Sequence, residues 1–502
     1  MSSRREFLIH GAIGAGFIAA NLKGVAAFAA TQPPVRRSLP GMAWNDPVIA
    51  AFRDAVGVLK GRPPTQKISW EGLAWIHGTD PDNFHYCPHG DWYFLPWHRA
   101  FVTMYERIVR SITGMSDFAM PFWDWTANPT LPDVFVEKLT PDGKANWLNV
   151  SDQGWERSWP ASDPIPAEIA GPKVLQQILT TAGYENFGTS RNPAQKNIDP
   201  SWVPKGGGAQ GVLEGRAHNL IHNAIGGWMP SASSPRDPIF FMHHTNIDRI
   251  WALWNQKFTN SPDPLWNGMV FANNFLNTDQ SYWSPKVSDL LIPEMLGYSY
   301  GLQPPVRTLP PRTFQLDQKL RAVFSLPADR LLNSAGVTTV SVANNGVASA
   351  SAPLAISIPV PATALKTVRH REPRVSGMEL MDFARAEEVS ASGTRALAFL
   401  REVKITNPKA TLFRVFVDAP NVSAATPISD AHYVGTFGVL GHNRHGADPM
   451  HPSFVLDLTD ALGGSAPADR IVLQIVPVGS DGGAEAAGTA APARVEVSFI
   501  AN

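Results

Sequence analysis

Between about residues 40 and 300, apolar residues recur at helical spacing in stretches separated by long polar loops rich in Pro and Gly. The clearest helix follows Pro96: Phe101, Met104, Tyr105, Ile108 and Val109 recur every three to four residues, while Arg99, Glu106, Arg107 and Arg110 supply polar positions. A second helical stretch covers 213–225. A third begins after Asp237-Pro238 and sets Ile247, Ile250, Trp251 and Trp254 on one face, with proline at the first turn, where its missing N–H costs nothing. Residues 126–210 read as a long irregular excursion punctuated by Pro, Gly and Asn. No internal repeat is visible.

After about residue 310 the texture changes to short runs of Val, Ile, Thr and Ala, among them 338–342, 355–360, 412–417 and 471–476, separated by turn residues. These read as strands. The expected fold class is a mainly α domain over 31–315 followed by an all-β, sandwich-like C-terminal domain over 316–502, with the boundary near the Pro-rich stretch at 304–311.

The chain has 502 residues, 44% of them hydrophobic, which is enough for a large core and suggests more than one domain. Its 42 basic and 43 acidic residues leave a formal net charge of -1, so no global field draws it to nucleic acid or holds it stably on an anionic membrane. A small, largely uncharged partner fits better, and homo-oligomerisation is left open. The single cysteine, Cys87, excludes an intramolecular disulfide. At the N-terminus, Ser3-Arg4-Arg5-Glu6-Phe7-Leu8 forms a twin-arginine pattern. A small-residue apolar stretch follows to about Ala30, with Ala27-Phe28-Ala29 as a cleavage-like triplet. Residues 1–30 are therefore expected to be a twin-arginine signal peptide, and the mature protein periplasmic or secreted. The run 11–16 has the glycines of a nucleotide loop but follows no strand, and His10, Asn21 and Lys23 interrupt a membrane span.

Of 14 histidines, eight lie between positions 77 and 244. His218 and His222 are four apart in a helical stretch, so both imidazoles leave one face and reach one metal. A third ligand comes from His243 or His244; neighbours on a helix differ by about 100° in direction, so only one of the pair faces that metal well. His77, His89 and His98 form a second set, while His85 reads as a loop histidine. Two imidazole triads without a carboxylate favour a copper or zinc type centre over magnesium or calcium. A structural zinc protein would need closed four-ligand sites, which two His-only triads do not supply.

Cys87-Pro88-His89, Leu95-Pro96-Trp97-His98-Arg99, Pro121-Phe122-Trp123-Asp124-Trp125, His218-Asn219-x-x-His222 and the run from Asp237-Pro238 through His243-His244 to Asp248-Arg249 resemble the tyrosinase, catechol oxidase and molluscan haemocyanin superfamily over about 70–260. The C-terminal stretch is similar in order to that of plant-type polyphenol oxidases, notably at 412–418 and 433–440. The resemblance implies a four-helix bundle around a dicopper centre with two copper ions per chain. His77, His89 and His98 would ligate the first ion and His218, His222 and His244 the second, leaving His243 as the non-ligand. It further implies a Cys87–His89 thioether, Phe240 packing over the site and against a bound phenol, and Glu214 with Asn219 holding an activating water. Asn223 is a further candidate at the pocket edge. Asp248, one turn after His244, is expected to anchor a ligand imidazole through its second nitrogen, or otherwise to pair with Arg249 or Lys257 on the helix surface. The expected activity is ortho-hydroxylation of monophenols and oxidation of o-diphenols to o-quinones with dioxygen. The alternatives are a catechol oxidase without the first activity and a haemocyanin-like oxygen carrier, which a single unit behind an export signal disfavours. The β-rich domain is expected to be a lid over the site, or else a stability module. His442, His445 and His451 sit among turn residues and read as a solvated loop.

Overall fold

The computed structural model describes residues 32–39, 41–79, 83–152, 154–192, 206–303, 305–325, 336–369, 393–407, 411–440, 451–463, 468–480, 483 and 488–501. The signal-peptide expectation, His442 and His445 lie outside them. Among the described residues no helix is long and apolar enough to cross a membrane.

The helical part is built from α1 (Pro47–Lys60), α2 (Trp70–His77), α3 (Phe94–Thr113), α4 (Pro172–Thr180), α5 (Asn219–Ile225) and α6 (Ile239–Trp254). Local chemistry sets their ends. Asp46 caps α1 by accepting from the Val48 N–H, with Pro47 at the first helical position, and Ser69 caps α2 by accepting from the Gly72 N–H. At Gly72 a Cβ would stand 2.4 Å from the Gln66 carbonyl oxygen, so only glycine lets α2 start against that loop. α3 ends on Gly114 in the left-handed region, φ 71°. α6 packs against α3, and α3 against α1. Both long helices are buried on nearly every side, so two of the positions that periodicity assigns to a polar face of α3, Arg99 and Glu106, lie inside the protein. They are tolerated there because partners neutralise them: Arg36 Nε donates to Glu106 at 3.0 Å and Arg99 Nε to Asp248 at 2.5 Å.

The stretch expected as one helix over 213–225 begins as a π-helix, Leu213–His218, and becomes α only at Asn219. Such wide turns are rare and recur at functional sites. This one ends on His218.

The C-terminal part is a two-sheet sandwich, as expected. One sheet has the order β6 (Tyr433–Phe437), β5 (Thr411–Val417), β8 (Arg470–Gly479), β3 (Leu354–Pro359), all antiparallel. The other has the order β1 (Ala209–Gln210), β7 (Ser453–Asp457), β4 (Thr394–Ile405), β9 (Ala490–Ala501), β2 (Val337–Ala343). Its edge strand β1 comes from the helical part, immediately before the π-helix, and pairs parallel with β7. The period-two alternation of β5 explains its unbroken burial. Phe413, Val415 and Val417 face the sandwich core, whereas Leu412 and Phe416 join the helical core and Arg414 reaches Glu168. The helix α7 (Pro311–Ser325), which spans the expected boundary, buries Leu316, Leu320, Val323 and Phe324 against Leu397, Phe399 and Ile500 of the second sheet.

Candidate metal centre

Helical segments and one loop bring the histidines together. His77 closes α2, His89 lies on the loop before α3, His98 sits in the first turns of α3, His218 and His222 flank the π-to-α junction, and His243 and His244 ride on α6. The result is two groups, His77 with Cys87, His89 and His98, and His218 with His222, His243 and His244. Within each, one potential ligand atom per residue lies within 4.8 Å of the others. Among the described residues no other such group occurs. The groups adjoin: the His98 and His244 rings stack at 4.2 Å and 9°, and His89 lies 5.4 Å from His218 between centroids.

The ring nitrogens divide by role. On one side, Nδ1 donates to backbone or amide oxygen: His77 to Ala232 O at 2.6 Å, His98 to Phe94 O at 2.8 Å, His222 to Met229 O at 2.7 Å and His218 to Asn219 Oδ1 at 2.9 Å. On the other side, Nε2 of His77 and of His218 has no hydrogen-bond partner among the described residues, and Nε2 of His222 faces Nε2 of His244 at 3.2 Å. Anchored Nδ1 fixes the tautomer that leaves an Nε2 lone pair facing inward, the arrangement of a metal-binding imidazole. Burial pushes His77 down to about 3 and His222 to about 4, and burial with neighbouring imidazoles holds His98, His218 and His244 well below the ordinary value. All are neutral at pH 7, the form that ligates. Converging imidazole nitrogens without a carboxylate among them, those of His77 and His218 buried and unpartnered among the described residues, fit soft or borderline cations such as copper.

Cys87 is buried, and burial raises its thiol pKa well above the usual value. Its Sγ lies 3.6 and 3.7 Å from the two nitrogens of His89, as it would facing the carbon between them, and 3.4 Å from His98 Nε2. Phe240 is fully buried among four ligand-candidate rings, 4.1 Å from His244 and 5.4 Å from His77. His243 also enters the second group, with Trp125 tilted against it at 5.2 Å. His85 stays outside, its Nδ1 bonded to Trp75 O.

Glu214 is wholly buried, accepting from the Gly90 N–H at 2.8 Å and from the Thr189 hydroxyl; burial raises its pKa to about 8. The Asn219 N–H meets the Glu214 backbone carbonyl, but no hydrogen bond joins the two side chains. The Asn219 amide donates instead to Gln210 Oε1 at 2.8 Å and Gly438 O at 2.9 Å, and the Asn223 amide donates to Val439 O at 2.8 Å.

Asp248 corrects an expectation. It holds no imidazole and pairs with neither Arg249 nor Lys257; it accepts from Arg99, Arg36, Tyr298 and Tyr300 at 2.5 to 3.0 Å. Burial opposes its ionisation, but the two guanidinium groups outweigh it and hold the pKa below the ordinary carboxylate range. The carboxylate points between α3 and α6, so it steadies Arg99, the residue after His98, and not a ring.

Two aromatic residues at the centre carry no sequence expectation. Phe94 packs at 4.6 Å on His218 and 4.7 Å on His98; its position four residues before His98 on one helix face is the signal that points to it. Half-buried Phe84 meets His89 at 4.8 Å and His77 at 5.3 Å, and nothing in the sequence pattern marks it.

Residues 67–257 match the family profile described as the common central domain of tyrosinase. A tyrosinase of Streptomyces antibioticus is 31% identical over 205 residues, which cover 38% of this chain and 71% of that protein. The chloroplastic polyphenol oxidase II of Ipomoea batatas is 24% identical over 484 residues, 89% of this chain and 75% of that protein. Among solved structures, a latent aurone synthase (polyphenol oxidase) shares the fold with a TM-score of 0.58 at 17% identity, over 94% of this chain and 91% of that one.

Proposed function

The chain belongs to the tyrosinase family of type-3 copper phenol oxidases, and from that premise we propose that it ortho-hydroxylates monophenols and oxidises o-diphenols to o-quinones with dioxygen. The observation that carries this is the pair of adjoining imidazole groups, in which His77, His98, His218 and His222 each anchor Nδ1 outward and leave Nε2 facing inward. His77, His89 and His98 hold one copper and His218, His222 and His244 the other, with His243 beside them as a packing residue. A bound copper pair supplies the redox chemistry with dioxygen that no side chain here offers. The chain supplies neutral ligands and a water-poor wall of Phe94, Phe240 and Trp97. The half-exposed side, at His89 and Phe84, admits a flat aromatic substrate. The near-equal distances of Cys87 Sγ from both His89 nitrogens support a thioether between them. The protein reaches an exported compartment through its twin-arginine leader.

The β-domain acts as a lid. Gly438 and Val439 take the amides of Asn219 and Asn223, which directly follow His218 and His222, so residues 438–439 lie on the ligand helix. Glu214 with Asn219 holds the water that deprotonates a monophenol once that contact opens. Oxygen uptake by the copper-loaded full chain tests the whole assignment: consumption with both a monophenol and an o-diphenol is expected. Consumption with diphenol alone would reduce the enzyme to a catechol oxidase, and none with either would leave an oxygen carrier.

A further inference from the structure

One loop, residues 226–233, serves both imidazole groups. Its Met229 carbonyl accepts from His222 Nδ1, and three residues later its Ala232 carbonyl accepts from His77 Nδ1. His222 belongs to one group and His77 to the other. Where these two carbonyls stand therefore sets how a ring of each group is turned relative to the other.

The loop is held from outside by a segment remote from the ligands. Trp228 stacks on Trp155 with centroids 3.8 Å apart and planes 3° from parallel, and its Nε1 donates to Asp152 Oδ2 at 2.9 Å. The Ser158 N–H donates to the Ile225 carbonyl at the head of the loop. Arg157 closes the far end with hydrogen bonds to both carboxylate oxygens of Asp237 at 2.8 and 2.6 Å. The approach is too close for side chains: a Cβ on Gly226 would stand 2.0 Å from Ser158 Oγ, and one on Gly227 2.4 Å from the Trp155 carbonyl oxygen, both at positive φ. Ser231 and Ser233 lie buried within the loop, where Ser231 Oγ donates to the Trp228 carbonyl and accepts from the Ser233 N–H. From the tryptophan stack to the two carbonyls the loop is therefore closed by its own hydrogen bonds.

We propose that the loop 226–233 is a shared positioning element for both metal ions, and that Trp155, Trp228 and Asp152 act through it as positioning residues of the two sites at once. This rests on the assignment of the two imidazole groups as a copper pair. None of the three residues belongs to either imidazole group. Loosening the stack moves Met229 and Ala232 together and turns His222 and His77 out of register in the same step.

The test titrates the metal-free full-length chain with copper alone and counts ions per chain by native mass spectrometry against a competing chelator. Trp155→Ala and Asp152→Ala sit at half-exposed and exposed positions and keep the experiment interpretable should Trp228→Ala fold poorly. In the folded fraction of Trp155→Ala, the first and second binding steps should both weaken by about tenfold, the lower end of the usual effect of disturbing a ligand's anchoring partner. Trp155→Phe should restore both steps by restoring a stacked ring. Unchanged affinities in folded variants, or weakening of one step alone, would overturn the shared role. A wild-type chain that binds no second copper fails at the earlier level, and brings down the copper-pair assignment itself.

Discussion

At the scale of single residues, the sequence carried the histidines because their pairing is local: His218 and His222 share a helix face by spacing alone. The role of Asp248 is not legible in the sequence because its partners Arg36, Arg99, Tyr298 and Tyr300 come from distant parts of the chain. Only a folded molecule brings them to one carboxylate. Glu214 and Asn219 carry a prediction about proton transfer. Glu214→Gln and Asn219→Ala should lower monophenol turnover by roughly ten- to a hundredfold, at the low end of general-base effects, while diphenol turnover falls much less. Measuring both rates at equal copper content checks this; a proportional fall in both would mean that the pair only positions the ligand helix. Glu185 carries a prediction about pH. It is buried, and burial raises its pKa to about 8 against the pull of Arg191. The folded chain thus binds this proton more tightly than the unfolded one. The contribution to stability is full below about pH 4.5 and is lost as pH rises through 8. Denaturant midpoints of Glu185→Gln should fall less steeply than wild type between pH 5 and 8, and parallel profiles would contradict the assignment.

Among elements, the long helices were legible from apolar periodicity, and the strands of the sandwich from β-branched runs between turns. What periodicity could not show is that α3 and α6 are buried on nearly every side. An amphipathic pattern assigns charged residues to solvent, whereas Arg99, Glu106 and Asp248 meet across the α3–α6 interface and take in Arg36 from the N-terminal segment. The π-turn at Leu213–His218 was equally invisible, since its residues keep a helical pattern while the hydrogen bonds widen. Removing one partner from a buried ionic network leaves uncompensated charge, typically at a cost of about 3–5 kcal/mol. Asp248→Asn leaves Arg36 and Arg99 without that carboxylate charge and should destabilise the fold by about 3 kcal/mol. Chemical denaturation of the variant measures this, and a loss below about 1 kcal/mol would show that the tyrosine hydroxyls and remaining hydrogen bonds suffice.

For the whole molecule, the change of texture after residue 310 announced a second, β-rich part, but not how it joins the first. Ala209–Gln210 is too short to show a strand period, yet it gives the C-terminal sheet its edge and leads directly into the helix that carries His218 and His222. A buried pair completes the contact: Arg414 on β5 donates to both oxygens of Glu168, at 2.9 and 2.7 Å, and the Thr436 hydroxyl adds a third bond at 2.9 Å. If the β-domain is the lid, Arg414→Met should raise turnover of bulky phenols while lowering the unfolding free energy by about 3–5 kcal/mol, because access rather than chemistry limits the closed form. Lower stability with unchanged kinetics would make that domain a stability module. The central claim is that two imidazole triads hold a copper pair that works as one unit, and the most direct measurement counts copper per chain alongside oxygen uptake in His98→Ala and His222→Ala. Wild type should carry two coppers, and each variant one copper with no uptake on either a monophenol or an o-diphenol. A variant that retains diphenol oxidation with a single copper would contradict the claim.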